Sequence, residues 1–259
     1  MCAASSASPW ASPKLIPVTQ RNAAKYSRVL LKLSGEALLG DRKFGISPQY
    51  VKYLAEEIRK VQSLPTEVAI VIGGGNFMRG AAVAEHGIDR ATADYMGMLA
   101  MVINALALQS ALEQMDVPTR VQSAITIQDV AEPYIRRKAI RHLEKGRVVI
   151  FAAGTGNPYF TSDTAATLRA AEIFADVILM GKNQVDGVYD ADPRTTKDAK
   201  KIDQLTHRDL LDKRLGVMDA TAAALAEDRD IPLIIFDISQ KDAMVRAAKG
   251  EHVGTLVHS

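Results

Sequence analysis

Four short segments of the chain hold residue types that bind phosphate. Lys32-Leu33-Ser34-Gly35-Glu36 ends an apolar run with a cation and continues in small residues. Gly73-Gly74-Gly75-Asn76-Phe77-Met78-Arg79-Gly80 sets three glycines ahead of an arginine. Glycines let backbone N–H groups face outward without a Cβ in the way, and a guanidinium adds a planar two-pronged donor, so this segment suits an anion better than a plain flexible turn. Ala152-Ala153-Gly154-Thr155-Gly156-Asn157-Pro158-Tyr159-Phe160-Thr161-Ser162 runs into a helix start at Asp163-Thr164-Ala165, again glycines and hydroxyls before a helix N-terminus. Taken alone, Ser162 and Asp163 read equally well as helix caps. Gly181 to Pro193 places Tyr189 among amides, a lysine and carboxylates, a composition that suits a purine but also ordinary Asp-Gly and Asp-Pro turns.

Several chemistries lack an anchor. No GxxxxGK[ST] is present, Met78 stands where GxGxxG needs its third glycine, and there is no GxSxG elbow. Asp94 does follow the glycines at the distance of a ribose-binding acid, so a dinucleotide enzyme is a minor alternative. His207-Arg208-Asp209-Leu210 echoes a protein-kinase catalytic loop, but Arg214 replaces its asparagine and there is no DFG, so it reads as a helix start. His86, His142, His207, His252 and His258 are scattered, and the sole cysteine is Cys2, which disfavours zinc, a disulfide and a catalytic thiol. With 32 Lys+Arg against 30 Asp+Glu, the net charge of +2 argues against a dedicated nucleic-acid binder. No run reaches the ~18 apolar residues of a membrane span, since Gly97 and Asn104 interrupt Met96–Leu108.

The elements that must position these segments follow from hydrophobic patterning. Apolar runs at Val29–Leu31, Val68–Ile72, Val117–Val121, Val148–Phe151, Val177–Met180, Leu233–Phe236 and Leu256–Val257 read as strands buried on both faces. Between them lie helical patterns at 48–62 (Ser47 as cap, Pro48 first), 92–115, 133–144, 163–175, 220–228 and 240–249. Alternating strands and helices in 259 residues give a single α/β domain, a three-layer αβα sandwich on an open, mostly parallel sheet. Its ligands belong outside the carboxyl ends of the strands, where the four segments fall. Residues 27–259 form this domain; residues 1–26, rich in Ser, Ala and Pro, form an N-terminal extension expected to be disordered. Its acid-poor, mildly basic composition fits a simple tail in a cytoplasmic protein, or a transit peptide leading to a plastid stroma.

The segments also occur in the order of a known family. Lys32-Leu-Ser-Gly-Glu36, Gly73–Gly80, Ala93-Asp94-Tyr-Met-Gly-Met98, Gly154–Asp163, Val185-Asp-Gly-Val-Tyr189, Ala191-Asp-Pro193 and Val217-Met-Asp219 resemble the bacterial-type UMP kinases (uridylate kinases) of the amino acid kinase family. The resemblance spans essentially all of 28–259. It implies the amino acid kinase fold and transfer of the ATP γ-phosphoryl group to UMP, with Mg²⁺ carried by the nucleotide rather than by a dedicated set of protein ligands. It implies that Lys32, Leu33, Ser34, Gly35, Gly75 and Arg79 line the ATP phosphates, and Asn183, Tyr189 and Asp192 the adenine and ribose. UMP would be held by Gly74, Asp94, Thr155, Gly156, Asn157, Pro158, Tyr159, Phe160, Thr161 and Ser162. It further implies GTP activation, UTP inhibition and a homohexamer built from dimers. The surplus apolar residues Met96, Leu99, Ala100, Val102, Ile103, Leu106 and Ala107 of the long helix suit the dimer contact.

Phosphoryl transfer needs positioning and neutralised charge more than covalent chemistry. Lys32 and Arg79 supply cations; Asp219 reads as the carboxylate orienting Lys32 or a Mg²⁺-bound water, or else as the N-cap of helix 220–228. Asp163 carries the same ambiguity, and Asp94 has a second reading as a helix-start acid. Lys43 stands where the family's Gly-x-x-Gly-Phe-Gly segment, tied to GTP, has a glycine, and 181–184 is one residue longer than in some relatives. Competing readings are another amino acid kinase acting on a carboxylate or carbamate, and a nucleotide-binding regulator or storage subunit without turnover.

Overall fold

Strands made of aliphatic residues at every position cannot be solvated on either face, so they must lie between two helical layers. The computed structural model, which describes residues 24–78, 87–191, 195–196, 198–213 and 215–259, has that architecture. Strands β1 (Arg28–Leu33), β2 (Glu67–Ile72), β3 (Thr119–Ser123), β4 (Glu132–Pro133), β5 (Val148–Ala152), β6 (Val177–Lys182), β9 (Gln204–Thr206), β10 (Leu233–Asp237) and β11 (Thr255–His258) make one sheet in the order β4-β3-β5-β2-β1-β6-β10-β11-β9. All neighbours pair parallel except β10 with β11. Strands β7 (Val188–Tyr189) and β8 (Lys201–Ile202) form a separate antiparallel pair.

Along β1, Val29, Leu31 and Leu33 point into one layer with helices α1 (Pro48–Gln62), α2 (Arg90–Glu113) and α7 (Ala243–Ala248). Leu30 points into the other, with α3 (Arg136–Glu144), α4 (Ser162–Ile173), α5 (His207–Asp212) and α6 (Ala220–Asp228). Side chains alternate along a strand, so Lys32 faces the second layer with Leu30. From β1 the chain returns through α1 on one face, and from β6 through α5 and α6 on the other. The β1/β6 pair is therefore a topological switch point, where such sheets leave a crevice for ligands.

Every aliphatic run expected to be a strand is one, with shifted ends. Pro118 has no N–H to donate, and β3 starts after it, at Thr119. The helix expected at 133–144 begins only at Arg136, because Glu132–Pro133 pairs with β3 instead. The helix expected at 240–249 is Ala243–Ala248, entered through Asp242 at φ 62°. Ser47 occupies the N-cap of α1 but makes no side-chain cap bond. Lys25 and Tyr26, assigned by sequence to the extension, touch the domain: Lys25 N–H donates to the Ala248 carbonyl (3.3 Å) and Tyr26 packs on the core.

Helix α2 is long and apolar enough by composition to meet the length and hydropathy of a membrane span. One side of it, with Met98, Val102, Ala105, Leu108 and Leu112, is part of the core instead. Leu99 and Ile103, one turn apart on its outer side, are 48% and 47% exposed.

Candidate active site

Lys32, at the end of β1, is 6% exposed, a burial at which a cation requires a partner. The partner is Asp163 in the first turn of α4: its Oδ1 forms an ion pair with Lys32 Nζ. The N-cap of that helix is Thr161, whose hydroxyl accepts from the N–H groups of Asp163 and Thr164. Ser162 is the first helical residue. Asp163 thus holds the Lys32 ammonium at the N-terminus of a twelve-residue helix, and the cation and the positive helix end both draw anionic oxygens to the same point.

Asp219 does not serve Lys32. Its Oδ1 accepts from the Ala222 N–H (3.0 Å) as N-cap of α6, and its Oδ2 accepts from the hydroxyls of Thr161 (2.5 Å) and Thr164 (3.0 Å). Asp219 therefore ties the cap of one helix to the cap of another and brings both N-termini to the crevice. Of the two readings of Asp219, the structure shows the N-cap of α6, while the carboxylate paired with Lys32 is that of Asp163.

A second cation, which sequence reasoning left out of the site, is Lys182 at the end of β6. Its Nζ donates to the Val217 carbonyl at 2.5 Å. Burial holds its pKa below the usual lysine value, nearby Lys32 lowers it further, and Asp163 opposes both. The available signal was positional: Lys182 is the last residue of its strand as Lys32 is the last but one of β1, and the two strands are neighbours.

Both lysines line a cleft of about 660 Å³ with Ser34, Asn183, Val185, Tyr189 and Gly216. Ser34 caps a short 3-10 turn (Gly35–Leu38) through Glu36 N–H. The Tyr189 hydroxyl donates to Asp186 Oδ1 (2.6 Å), which raises the phenol's pKa, and Lys201 pairs with the same carboxylate (2.9 Å). Leu33, expected beside ATP, is fully buried in the apolar core, and its carbonyl accepts from Gly73 N–H. Its side chain faces the opposite layer from Lys32, and it is not among the residues that line the cleft. Arg79 and Asp192 lie outside the described residues.

The glycine segment is held from below. Asn76 and Asn104, 2% and 0% exposed, exchange two amide hydrogen bonds (2.9 and 2.7 Å). Asn104 also donates to the Gly73 carbonyl (2.7 Å), and Asn76 to the Gly45 carbonyl (2.9 Å). The sequence signal was an asparagine in the middle of an apolar helix. We expect Asn104→Leu to cost about 2–4 kcal/mol in denaturant unfolding, since it strands the Asn76 amide and the Gly73 carbonyl. A loss below about 0.5 kcal/mol would show that the pair does not hold the segment. A Cβ on Gly74 would lie 2.7 Å from the Gly97 carbonyl of α2, so this glycine lets helix and segment touch.

The loop after β5 winds through positive φ at Ala153, Gly154, Gly156 and Tyr159. Thr155 Oγ1 accepts from Asn157 N–H (3.2 Å), which closes a tight turn, and Tyr159 and Phe160 stay 67% and 50% exposed. Asp94, on the first turns of α2, reaches this loop: its Oδ2 accepts from Tyr159 N–H (2.8 Å), and Arg90 pairs with the carboxylate at 3.0 Å. The structure thus brings Asp94 to the loop that sequence joined to it, while Tyr159 and Phe160 point outward.

An open αβα sandwich with a buried lysine, Lys32, and a half-buried one, Lys182, at its switch point, by a helix N-terminus and a glycine segment, suits anionic phosphoryl groups. The chain belongs to the amino acid kinase family, whose model matches residues 27–237. It is 58% identical over 233 residues to a uridylate kinase of Limosilactobacillus reuteri, covering 90% of this chain and 97% of that one. The crystal structure of a UMP kinase from Bacillus anthracis superposes with a TM-score of 0.87 at 41% identity, over 90% of this chain and 96% of that one. A UMP kinase from Ureaplasma parvum superposes with a TM-score of 0.85 at 40% identity, over 91% and 100%.

Proposed function

We propose that the protein transfers the γ-phosphoryl group of ATP to the phosphate of UMP, giving UDP and ADP. The observation that carries this is the buried Lys32–Asp163 pair, set between the donor cleft and the Asp94–Tyr159 loop. ATP occupies the cleft of Lys182, Asn183 and Tyr189, and UMP lies against Asp94 and 155–162. The reaction breaks the bond from the γ-phosphorus to the bridging oxygen and forms one to a UMP phosphate oxygen. Lys32 and Lys182 offset the charge that two phosphate-bearing substrates bring together, and the α4 N-terminus adds fixed N–H dipoles. The two lysines oppose each other, and a polyphosphate beside them would relieve this and favour the charged form of Lys182. Asp163 holds the Lys32 ammonium in place.

Mg²⁺ is part of the proposal. Among the described residues no group of three or more His, Cys, Asp or Glu converges. Asp163 is paired with Lys32, and Asp219 accepts from Thr161, Thr164 and Ala222; in this reading the ion arrives on the nucleotide and shields its phosphates. Arg79, Asp192 and the regulators GTP and UTP belong to the same family-based reading, as does a cytoplasmic location. The exposed Leu99 and Ile103 face of α2 is proposed as the contact between copies in a homohexamer.

The test is ADP release with Mg-ATP against UMP, CMP, AMP, dTMP, acetylglutamate and aspartate. UMP-selective turnover is expected, and Asp94→Ala should raise the KM for UMP about 10- to 100-fold, the worth of hydrogen bonds to a charged acceptor. Turnover with an amino acid instead would move the protein to the carboxylate-phosphorylating members of the family. UMP binding without turnover would make it a nucleotide-binding subunit.

A further inference from the structure

Asp237, the last residue of β10, is 9% exposed and no part of the expected site. Its Oδ1 gathers three donors: Gln184 N–H (3.0 Å), Ser239 N–H (2.9 Å) and the Ser239 hydroxyl (2.7 Å). Gln184 sits at φ +58°, a left-handed conformation that is strained for a side-chain-bearing residue and persists only where surroundings hold it. The turn at Gln184 joins Lys182 and Asn183 to Val185, all of which line the cleft. The strand ladder supports the same clamp: Asp237 is in register with Lys182, and Ile238 N–H donates to the Lys182 carbonyl (2.9 Å). From the other side, the Tyr53 hydroxyl of α1 donates to the Ile238 carbonyl (3.1 Å). A Cβ on Gly181 would lie 2.0 Å from Ile238 Cγ2, so the two segments pack with no slack.

We infer that Asp237 is a positioning residue for the donor nucleotide, its carboxylate fixing the strained Gln184 turn that presents Lys182 and Asn183 to the cleft. The inference rests on the donor reading of that cleft. Asp237 touches neither substrate; it acts through the backbone of the loop. The group it uses is an acceptor oxygen, which a carboxamide also has.

The experiment measures KM for ATP and for UMP, equilibrium ATP binding and thermal unfolding in wild type, Asp237→Ala and Asp237→Asn. Asp237→Ala should raise the ATP KM and dissociation constant about 10-fold, the loss of hydrogen bonds to a charged acceptor, while the UMP KM stays within about 2-fold. Asp237→Asn should restore ATP binding to within about 3-fold of wild type, because its Oδ1 accepts the same donors. If Asp237→Ala does not fold, Asp237→Glu replaces it: the charge stays, the oxygen moves by one methylene, and the ATP KM alone should rise. Equal changes in both substrates, no change in either, or an Asn variant as impaired as Ala would each overturn the inference. Absence of ATP binding in wild type would overturn the donor reading beneath it, an outcome distinct from normal wild-type binding with an unaffected Ala variant.

Discussion

Lys32→Met is expected to lower kcat about 10³-fold, the effect of removing one preorganised charge from a phosphoryl or acyl transition state, with a smaller change in the KM for ATP. Met has about the length of Lys and suits an apolar environment, so packing beneath the cleft survives. The charge does not. The Lys32 and Asp163 side chains are 8% and 16% exposed, so the variant leaves a carboxylate with little access to water. Breaking such a pair from one side costs about 3–5 kcal/mol of stability, most of it the desolvation of the partner left behind. The double variant Lys32→Met/Asp163→Asn removes that charge and should recover most of the stability while remaining inactive. Coupled ADP-release kinetics and denaturant unfolding separate the two effects. A Lys32→Met enzyme within 10-fold of wild-type kcat would show that Lys32 does not face the transferred group, and would shift that role to Lys182.

Gly35→Ala is the second large effect, and its origin is steric. A Cβ on Gly35 would meet the Gly73 carbonyl oxygen at 2.5 Å, Asn76 Oδ1 at 2.6 Å and the Gly75 nitrogen at 2.8 Å. Two of these atoms are backbone, and the third belongs to the buried Asn76–Asn104 pair, so no flexible side chain is free to swing away. The two phosphate-facing segments must separate by several tenths of an ångström. A displacement of that order between groups that share one polyphosphate is expected to cost about 10²-fold in kcat/KM. Overpacking should cost about 1–3 kcal/mol of stability besides. Gly146→Ala is the control: Gly146 lies beyond the end of α3 at φ +69° with nothing within 4 Å of its would-be Cβ. It should lose about 1 kcal/mol to backbone strain alone and keep wild-type kinetics. Unchanged kinetics in Gly35→Ala would mean that the segments move independently and that their contact is not what aligns the phosphates.

Local patterning showed the strands because a strand covered on both faces has to be aliphatic throughout, as Val68–Ile72 and Val148–Phe151 are. It did not show β4, β7, β8 or β9. Glu132–Pro133 and Gln204–Thr206 carry no such run, and they pair only because another strand lies alongside. The segments proposed to hold phosphate were legible for the same local reason: glycines and lysines at strand ends are visible in one stretch of chain. Lys182 has no role legible in its own segment, since its meaning depends on β6 being the neighbour of β1. Asp237 offered no signal at all, because its partner Gln184 lies 53 residues away.

By itself, then, the sequence determined which aliphatic runs would be the central strands and the family whose motifs the loops after them carry, since each is set by composition and spacing over a few residues. The tertiary structure decided which charges meet. Asp163 and Asp219 both stand at helix starts and look alike in one dimension. One neutralises Lys32 and the other caps α6 because the docking of α4 and α6 on the sheet sets which helix N-terminus lies over β1, and that docking depends on packing among residues more than a hundred positions apart.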